Sequence, residues 1–306
     1  MMEGIVMYVV TGASGNTGSV VARGLLEQGK QVRVVGRNSN HLRQFTDRGA
    51  EAFVADMTDA AKLTKAFTGA EAVYAMIPPD LAASDVFSYD EQITSSLVSA
   101  LTEAKVRHVV TLSSIGADKP SGTGPVVGLH RLEQALNRIN GLNVLHLRAG
   151  YFMENTLAQA GAIQVMGNAT GPLRGDLKLP MIAAQDIGAA AANALLQLEF
   201  KGHQSRELLG QRDISYDEIA GIIGKAIGMP GLKYVHVPDE QLRPVLAQQG
   251  MSSNFVDLLL EMCGALNSGY MKALETRKPE NSTATSYEAF ASEKFLPTYQ
   301  KTSKAA

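Results

Sequence analysis

Three glycines near the start of the chain are the residues with the clearest chemical meaning. Gly12, Gly15 and Gly18 lie between an apolar run at 5–10 and a helical pattern at 19–28. A helix that begins at such a turn presents unpaired backbone N–H groups and a partial positive charge, which favour a phosphate group. Gly12 suits a tight turn, Gly15 lets the backbone approach a phosphate, and Gly18 lets the helix pack against the strand. This order predicts a dinucleotide-binding unit, with an ordinary glycine-rich turn as the alternative.

The second apolar run indicates which dinucleotide the chain prefers. Enzymes that use NAD often place an acidic residue after this strand, where it accepts from the ribose 2′-hydroxyl. Here the strand ends in Gly36-Arg37-Asn38, without an acid. Arg37 can form two charge-assisted bonds to a 2′-phosphate, and Gly36 leaves room for that group. The pattern favours NADP(H) over NAD(H), unless Arg37 is only a solvated surface residue.

Composition narrows the class of protein. The 306 residues are 45% apolar and 19% charged, with a formal net charge of −2 and one cysteine. This balance gives no reason to expect nucleic acid or a membrane surface as a partner. The six histidines and Cys263 show no metal-ligand spacing, so we expect no metal. Without a signal peptide or a long apolar segment, we expect a cytoplasmic protein.

Apolar runs alternate with helical patterns through the first half of the chain. Continuous apolar strands between helices indicate a parallel sheet that is covered on both faces. We therefore predict an α/β fold, a Rossmann-type doubly wound parallel sheet with a smaller α/β C-terminal lobe for the substrate. The nucleotide-binding domain is expected to span 1–150, with 183–210 packing back onto it. The smaller lobe would then comprise 151–182 and 211–306.

Several motifs together carry a family resemblance over nearly the whole chain. The matching segments are Val10–Gly18, Val32–Asn38, Asp56–Asp59, Leu112–Gly116, Leu147–Asn155, Ala184–Gly188 and Thr285–Phe290. With these segments the chain resembles the NmrA-like group of atypical short-chain dehydrogenases/reductases, and within it the NAD(P)H quinone or azo-dye reductase-like members. The resemblance implies the same fold and a bound dinucleotide. It does not define the substrate, since the group also includes redox sensors without turnover.

The glycine turn and four later positions in the chain make up the expected cofactor site. The resemblance implies that Asp56 and Met57 contact the adenine, and that Ile77 and Pro78 pass beneath the ribose and phosphates. A simple turn aspartate is the alternative for Asp56. The complete set of cofactor-binding candidates is Thr11, Gly12, Ser14, Gly15, Asn16, Thr17, Gly18, Arg37, Asp56, Met57, Ile77, Pro78 and His130.

The residues for catalysis depart from the usual dehydrogenase pattern. A typical short-chain dehydrogenase combines a serine with Tyr-x-x-x-Lys, in which the tyrosine transfers a proton. Ser113 lies where the resemblance implies the serine, His130 falls at the lysine position, and Val126 replaces the tyrosine. His130 is expected to anchor the nicotinamide ribose or to donate a proton, with a plain structural histidine as the alternative. We count His130, Ser113 and Tyr151 as the candidate catalytic residues.

The residues after the sixth strand are candidates for binding the substrate. Tyr151 and Phe152 can stack on a flat ring, and Asn155 can hydrogen-bond a carbonyl group. The alternative is that Phe152 is core and Asn155 a helix cap. The segment 118–128, rich in glycine and proline, is expected to be either a flap over the site or a disordered surface loop.

Two functions remain open from the sequence. The first is NAD(P)H-dependent reduction of a quinone-like or other small electron-poor acceptor without the Tyr-x-x-x-Lys relay. The second is a redox sensor that binds NADP(H) without turnover and signals through a protein partner. The sequence also leaves open whether the protein forms a homodimer.

Overall fold

A seven-stranded parallel sheet forms the centre of the molecule. The structure is a computed structural model that describes residues 6–305. The strands are β1 Met7–Thr11, β2 Gln31–Gly36, β3 Glu51–Val54, β4 Ala70–Ala75, β5 His108–Ser114, β6 Asn143–Ala149, β7 Tyr151–Phe152, β8 Ala169–Gly171, β9 Leu179–Ile182, β10 His203–Leu208, β11 Asp213–Ile214 and β12 Tyr234–His236. The large sheet has the order β3-β2-β1-β4-β5-β6-β10, with every pair of neighbours parallel. Its order reverses between β1 and β4, where ligands of such sheets bind.

Helices cover both faces of this sheet. They are α1 Gly18–Glu27, α2 Ser39–Thr46, α3 Ala60–Phe67, α4 Val86–Glu103, α5 Val126–Leu136, α6 Gln159–Met166, α7 Ala184–Gln197, α8 Tyr216–Ile227, α9 Asp239–Gln248, α10 Ser253–Asn267, α11 Tyr287–Phe290 and α12 Leu296–Ala305. In the core, α1, α2 and α7 pack on one face and α3, α4 and α5 on the other. Strand β1 alternates accordingly, since Val10 belongs to the first core and Val9 to the second. The prediction of a doubly wound Rossmann-type fold is confirmed.

A third core lies under the C-terminal half of the chain. It is built around α8 and α10, with Tyr287, Phe290 and Phe295 from the end of the chain. Helix α8 begins at a capping box in which Ser215 and Glu218 each bond the other's backbone N–H. Strand β10 and helix α7 instead join the large sheet and its cover. The division into two lobes at the boundaries given above stays a prediction.

The structure differs from the sequence-based expectation after β4 and before α5. The apolar run at 72–77, which precedes two prolines, predicts a strand that ends at Ile77, but β4 ends at Ala75. Pro78 and Pro79 cannot donate to a ladder, and the chain leaves the sheet before it reaches them. Segment 118–124 is packed: Thr123 is fully buried, and a Cβ at Gly124 would lie 1.9 Å from the carbonyl oxygen of Leu258 on α10. This packing against α10 does not support a disordered surface loop, and the alternative, a flap over the site, stays a prediction.

Helix α7 holds the glycine turn in place through a close approach to α1. A Cβ added at Gly188 would lie 2.5 Å from the Cβ of Val20 and 2.8 Å from the carbonyl oxygen of Thr17. Contacts shorter than 3.0 Å force one of the two helices to move. The pairing of α1 with α7 therefore depends on a glycine at this position.

We expect Gly188→Ala to lower the free energy of unfolding by about 1–3 kcal/mol, because the added methyl overpacks the α1–α7 contact. Gly264→Ala in α10 is the matched control, since its added Cβ meets no described atom within 4 Å. That control should stabilise the protein by about 0.5–1 kcal/mol. Urea unfolding measures the free energy of unfolding of both variants. Equal changes in that free energy would contradict the packing of α1 against α7 at Gly188.

Candidate active site

The turn between β1 and α1 leaves backbone donors free for an anion. Gly12 has φ +60°, and a Cβ at Gly18 would lie 2.3 Å from the carbonyl oxygen of Gly12. Within residues 6–305, the backbone N–H groups of Ser14, Asn16 and Thr17 make no hydrogen bond. These donors surround the start of a ten-residue helix, where the helix dipole adds positive charge. The turn fits a phosphate or diphosphate group.

A buried tyrosine from β4 fixes both ends of this turn. Tyr74 is fully buried, and its hydroxyl donates to Thr17 Oγ1 at 2.8 Å. Its carbonyl oxygen accepts from Thr11 Oγ1 at 3.0 Å. Burial raises the pKa of Tyr74, so its hydroxyl stays a donor at ordinary pH. Thr11 and Thr17 thus shape the turn, and the Thr11 side chain is directed at β4 rather than at a ligand.

A cleft of about 660 Å³ extends from this turn across the carboxyl ends of the strands. It is open on one side and lined largely by apolar groups. Its lining residues are Gly12, Ser14, Gly15, Asn16, Thr17, Val35, Gly36, Arg37, Ala55, Met57, Met76, Ile77, Pro78, Pro79, Asp80, Val86, Asp90, Leu112, Pro125, Val126, Leu129, Phe152, Asn155 and Phe255. The structure thus brings together most of the residues predicted to bind a dinucleotide.

One end of the cleft has a single exposed arginine. Arg37 follows β2, and its guanidinium makes no hydrogen bond or ion pair within the described chain. Met57 is buried and lines the cleft, whereas Asp56 is exposed beside it. The Asp56 carboxylate accepts from the N–H and Oγ1 of Thr58, which lower its pKa, and Arg37 lowers it further. The predicted contact of Asp56 with adenine stays a prediction.

The first turn of α5 forms an apolar wall of the cleft. Pro125, Val126 and Leu129 line it, so the position of the usual tyrosine presents an aliphatic side chain. His130 is not among the lining residues, and its Nδ1 donates to the carbonyl oxygen of Ala117 at 2.8 Å. The geometry therefore gives no support to His130 as ribose anchor or proton donor.

Ser113 is held in a buried polar cluster beneath the cleft. Its Oγ donates to Glu133 Oε1 at 2.6 Å, and Arg148 binds the same carboxylate through Nε at 3.0 Å and Nη2 at 2.6 Å. Glu133 is 2% exposed, so its charge is compensated entirely by these partners. The prediction of a catalytic Ser113 finds no support here, because its hydroxyl is committed to Glu133.

A second cavity of about 320 Å³ adjoins the cleft. Phe152 and Asn155 line both spaces, and Tyr151 lines only the second. The remaining wall is mainly apolar and comes from 177–180 and from α10 and the segment after it, including Met262 and Met271. Burial raises the pKa of Tyr151 to about 12, so its hydroxyl remains protonated.

The structure adds cleft residues that the sequence analysis missed. Asp80, Asp90 and Phe255 line the cleft, and so do Met76 and Val126. The sequence does contain a signal for Asp90, because residue 90 falls on the face of α4 that also carries the apolar residues 93, 97, 100 and 101. A carboxylate on such a stripe is unusual. Phe255 had no comparable signal, since α10 reaches the cleft only through the tertiary fold.

The described residues contain neither a metal-binding cluster nor a helix that could span a membrane. In residues 6–305 no cluster of histidine, cysteine, aspartate and glutamate has a metal-binding arrangement. No helix in the same range is long and apolar enough to cross a bilayer.

Comparison with known proteins defines the family of this chain. The sequence profile of the NmrA-like family matches residues 7–293, so the chain belongs to the NmrA-like family, as its motifs predicted. An NAD(P)H azoreductase of Xenophilus azovorans is 28% identical over 280 residues, which are 90% of this chain and 92% of that protein.

Two solved structures share the fold over their full length. A nucleoside-diphosphate-sugar epimerase from Staphylococcus aureus has a TM-score of 0.79 at 18% identity, covering 94% of this chain and 100% of that chain. An NADPH-dependent quinone oxidoreductase from Escherichia coli, complexed with NADPH, has a TM-score of 0.75 at 22% identity and covers 98% and 99%. At such identities these likenesses establish the fold, which serves different reactions.

We expect Ser113→Ala to destabilise the protein by about 1.5–3 kcal/mol, because Glu133 loses a buried donor to its charge. Ser114→Ala is the matched control, since the neighbouring hydroxyl bonds only the carbonyl oxygen of Ile115 and is partly exposed. Urea unfolding should show the larger loss for Ser113→Ala. Equal losses in the two variants would contradict the structural role assigned to Ser113.

Proposed function

We propose that the protein is an NAD(P)H-dependent reductase of a quinone-like or other small electron-poor acceptor. The observation that carries the proposal is the cleft, which joins free backbone donors at a helix start to a second, mainly apolar cavity. The azoreductase relative and the fold of the quinone oxidoreductase support it. When bound, a reduced nicotinamide supplies a hydride to an electron-poor acceptor.

The residues of the cleft suggest how the chain holds this cofactor. The N–H groups of Ser14, Asn16 and Thr17 bind the diphosphate, and Gly15 allows its approach. Arg37 binds the 2′-phosphate of NADP(H) at one end, which is the basis for preferring NADP(H) over NAD(H). Leu112, Val126 and Phe152, which line the other end of the cleft, would hold the nicotinamide.

The second cavity is the proposed site of the acceptor. Its apolar wall excludes water and suits a flat ring, which Phe152 and Tyr151 orient by stacking. Asn155 donates to a carbonyl oxygen or an azo nitrogen at the junction of the two spaces. Tyr151, which lines the second cavity, adds a neutral hydroxyl donor to the acceptor site. Because Val126 occupies the tyrosine position, no proton passes from a Tyr-x-x-x-Lys relay.

The direct test follows NADPH oxidation at fixed cofactor concentration across quinones, azo dyes and small carbonyl compounds. We expect turnover with quinones or azo dyes, and its loss in Gly15→Val, because the branched side chain fills the volume of the diphosphate. Circular dichroism confirms that the variant folds. Tight NADPH binding without oxidation of any acceptor would instead indicate the sensor function, and retained binding in Gly15→Val would refute the assignment of the turn.

Cofactor preference is tested at Arg37. We expect Arg37→Ala to weaken NADPH binding roughly 10- to 150-fold, since a hydrogen bond to a charged group is worth about 1.5–3 kcal/mol. NADH binding should stay nearly unchanged, because NADH lacks the 2′-phosphate. High salt should narrow the difference for the wild type, since this exposed contact is screened.

Arg43→Ala is the matched control for that measurement. Arg43 is an exposed arginine on the next helix, and it does not line the cleft. Fluorescence titration of both cofactors with wild type and the two variants decides the question. Equal affinity of the wild type for NADH and NADPH, or an equal loss of both in Arg37→Ala, would remove the preference.

A further inference from the structure

One carboxyl group in the wall of the cleft has no hydrogen-bond or ion-pair partner among residues 6–305. Asp90 lies on α4, is 8% exposed, and lines the cleft. Across the described part of the chain, its carboxyl oxygens make no hydrogen bond and no ion pair. Burial without a hydrogen-bond or ion-pair partner disfavours the charged form of a carboxyl group. The role proposed above for the cleft does not use it.

The packing of α4 against α5 places this carboxyl at the wall of the cleft that α5 forms. A Cβ added at Gly128 would lie 2.0 Å from Asp90 Oδ2, so the missing side chain of Gly128 makes the space for the carboxyl. Val126, two residues before Gly128, lines the cleft in the same helical turn, and Val86 does so one turn before Asp90. Asp90 therefore lies against the first two turns of α5, the helix that carries the position of the usual tyrosine, and lines the same cleft as Val126.

The surroundings of Asp90 favour its protonated form. Burial raises its pKa to about 7, and Arg131 of α5 opposes this shift more weakly. The other charged residues that line the cleft are Asp80, which follows β4, and Arg37. Helix α10 contributes the uncharged Phe255 on this side. A group with a pKa near the working pH is suited to donate a proton and to take it back.

We propose that Asp90 is the general acid of the reductase, supplying the proton that a tyrosine supplies in ordinary short-chain dehydrogenases. This inference rests on the proposed function. As the acceptor gains the hydride and its electron pair, one of its oxygen or nitrogen atoms becomes anionic. Asp90 gives its carboxyl proton to that atom. The carboxyl O–H bond breaks and a new O–H or N–H bond forms. The cofactor is the species oxidised, and water entering the open cleft returns a proton to the carboxylate.

The kinetic test compares Asp90→Asn with Glu91→Gln, which makes the same chemical change at the adjacent, exposed residue of α4. With NADPH and a quinone that the wild type reduces, kcat of the wild type should fall as pH rises above about 7. Asp90→Asn should lose about 10²-fold or more in kcat. It should also lose this pH dependence while its NADPH dissociation constant stays within twofold of the wild-type value. Glu91→Gln should behave as wild type.

A second readout needs no cofactor. A raised folded pKa means that the native state binds a proton more tightly than the unfolded chain, so stability is lost as pH rises from about 3.8 to about 7. Urea unfolding of the apoprotein should therefore show that Asp90→Asn gains stability relative to wild type across this window. Glu91→Gln should show no such trend.

Four results overturn the proposal. A wild-type kcat that is independent of pH between about 5 and 9 does so even if the variant fails to fold. If Asp90→Asn keeps the kcat of the wild type, Asp90 is not the general acid. If the variant loses NADPH affinity while its kcat is unchanged, Asp90 has a binding role instead. If the wild type reduces no acceptor, the proposed function itself fails, and the role of Asp90 fails with it.

Discussion

The site depends on the close approach of α1 to the glycine turn. At Gly18, a single added carbon would lie 2.3 Å from the carbonyl oxygen of Gly12, so the helix can begin there only because that carbon is absent. The same approach leaves three backbone N–H groups facing the cleft rather than capped by side chains. Tyr74 from β4 and Gly188 from α7 hold the turn from two sides. The free donors are a consequence of how tightly these elements pack.

The position of the glycine turn determines the direction in which a bound ligand extends. The turn lies where the sheet order reverses, so a ligand bound there extends across the carboxyl ends of β2 on one side and of β5 on the other. Arg37 stands at the first end, and Phe152 with Asn155 stands at the second, where the cleft meets the apolar cavity. Two ligands can thus meet at the wall that Phe152 and Asn155 form between the cleft and the cavity.

The sequence was sufficient for the fold and for the phosphate end of the site, because both follow from local patterns. The glycine spacing and the alternation of apolar runs with helical patterns act within a few residues of themselves. The residues at the acceptor end of the cleft could not be predicted from such local patterns. The partners of Ser113 and His130 come from elements up to 20 residues distant, and Phe255 reaches the cleft from α10. Whether a polar residue is available to a substrate depends on such partners, which spacing alone does not reveal.

The central claim is that one cleft holds the whole cofactor, from the glycine turn to the acceptor cavity. An experimental structure of the protein with NADPH tests this most directly. The account predicts diphosphate oxygens within hydrogen-bond distance of the N–H groups of Ser14, Asn16 and Thr17. It also predicts the reactive face of the nicotinamide toward Phe152 and Asn155. A nicotinamide ring outside the cleft, or a diphosphate bound away from this turn, would contradict it.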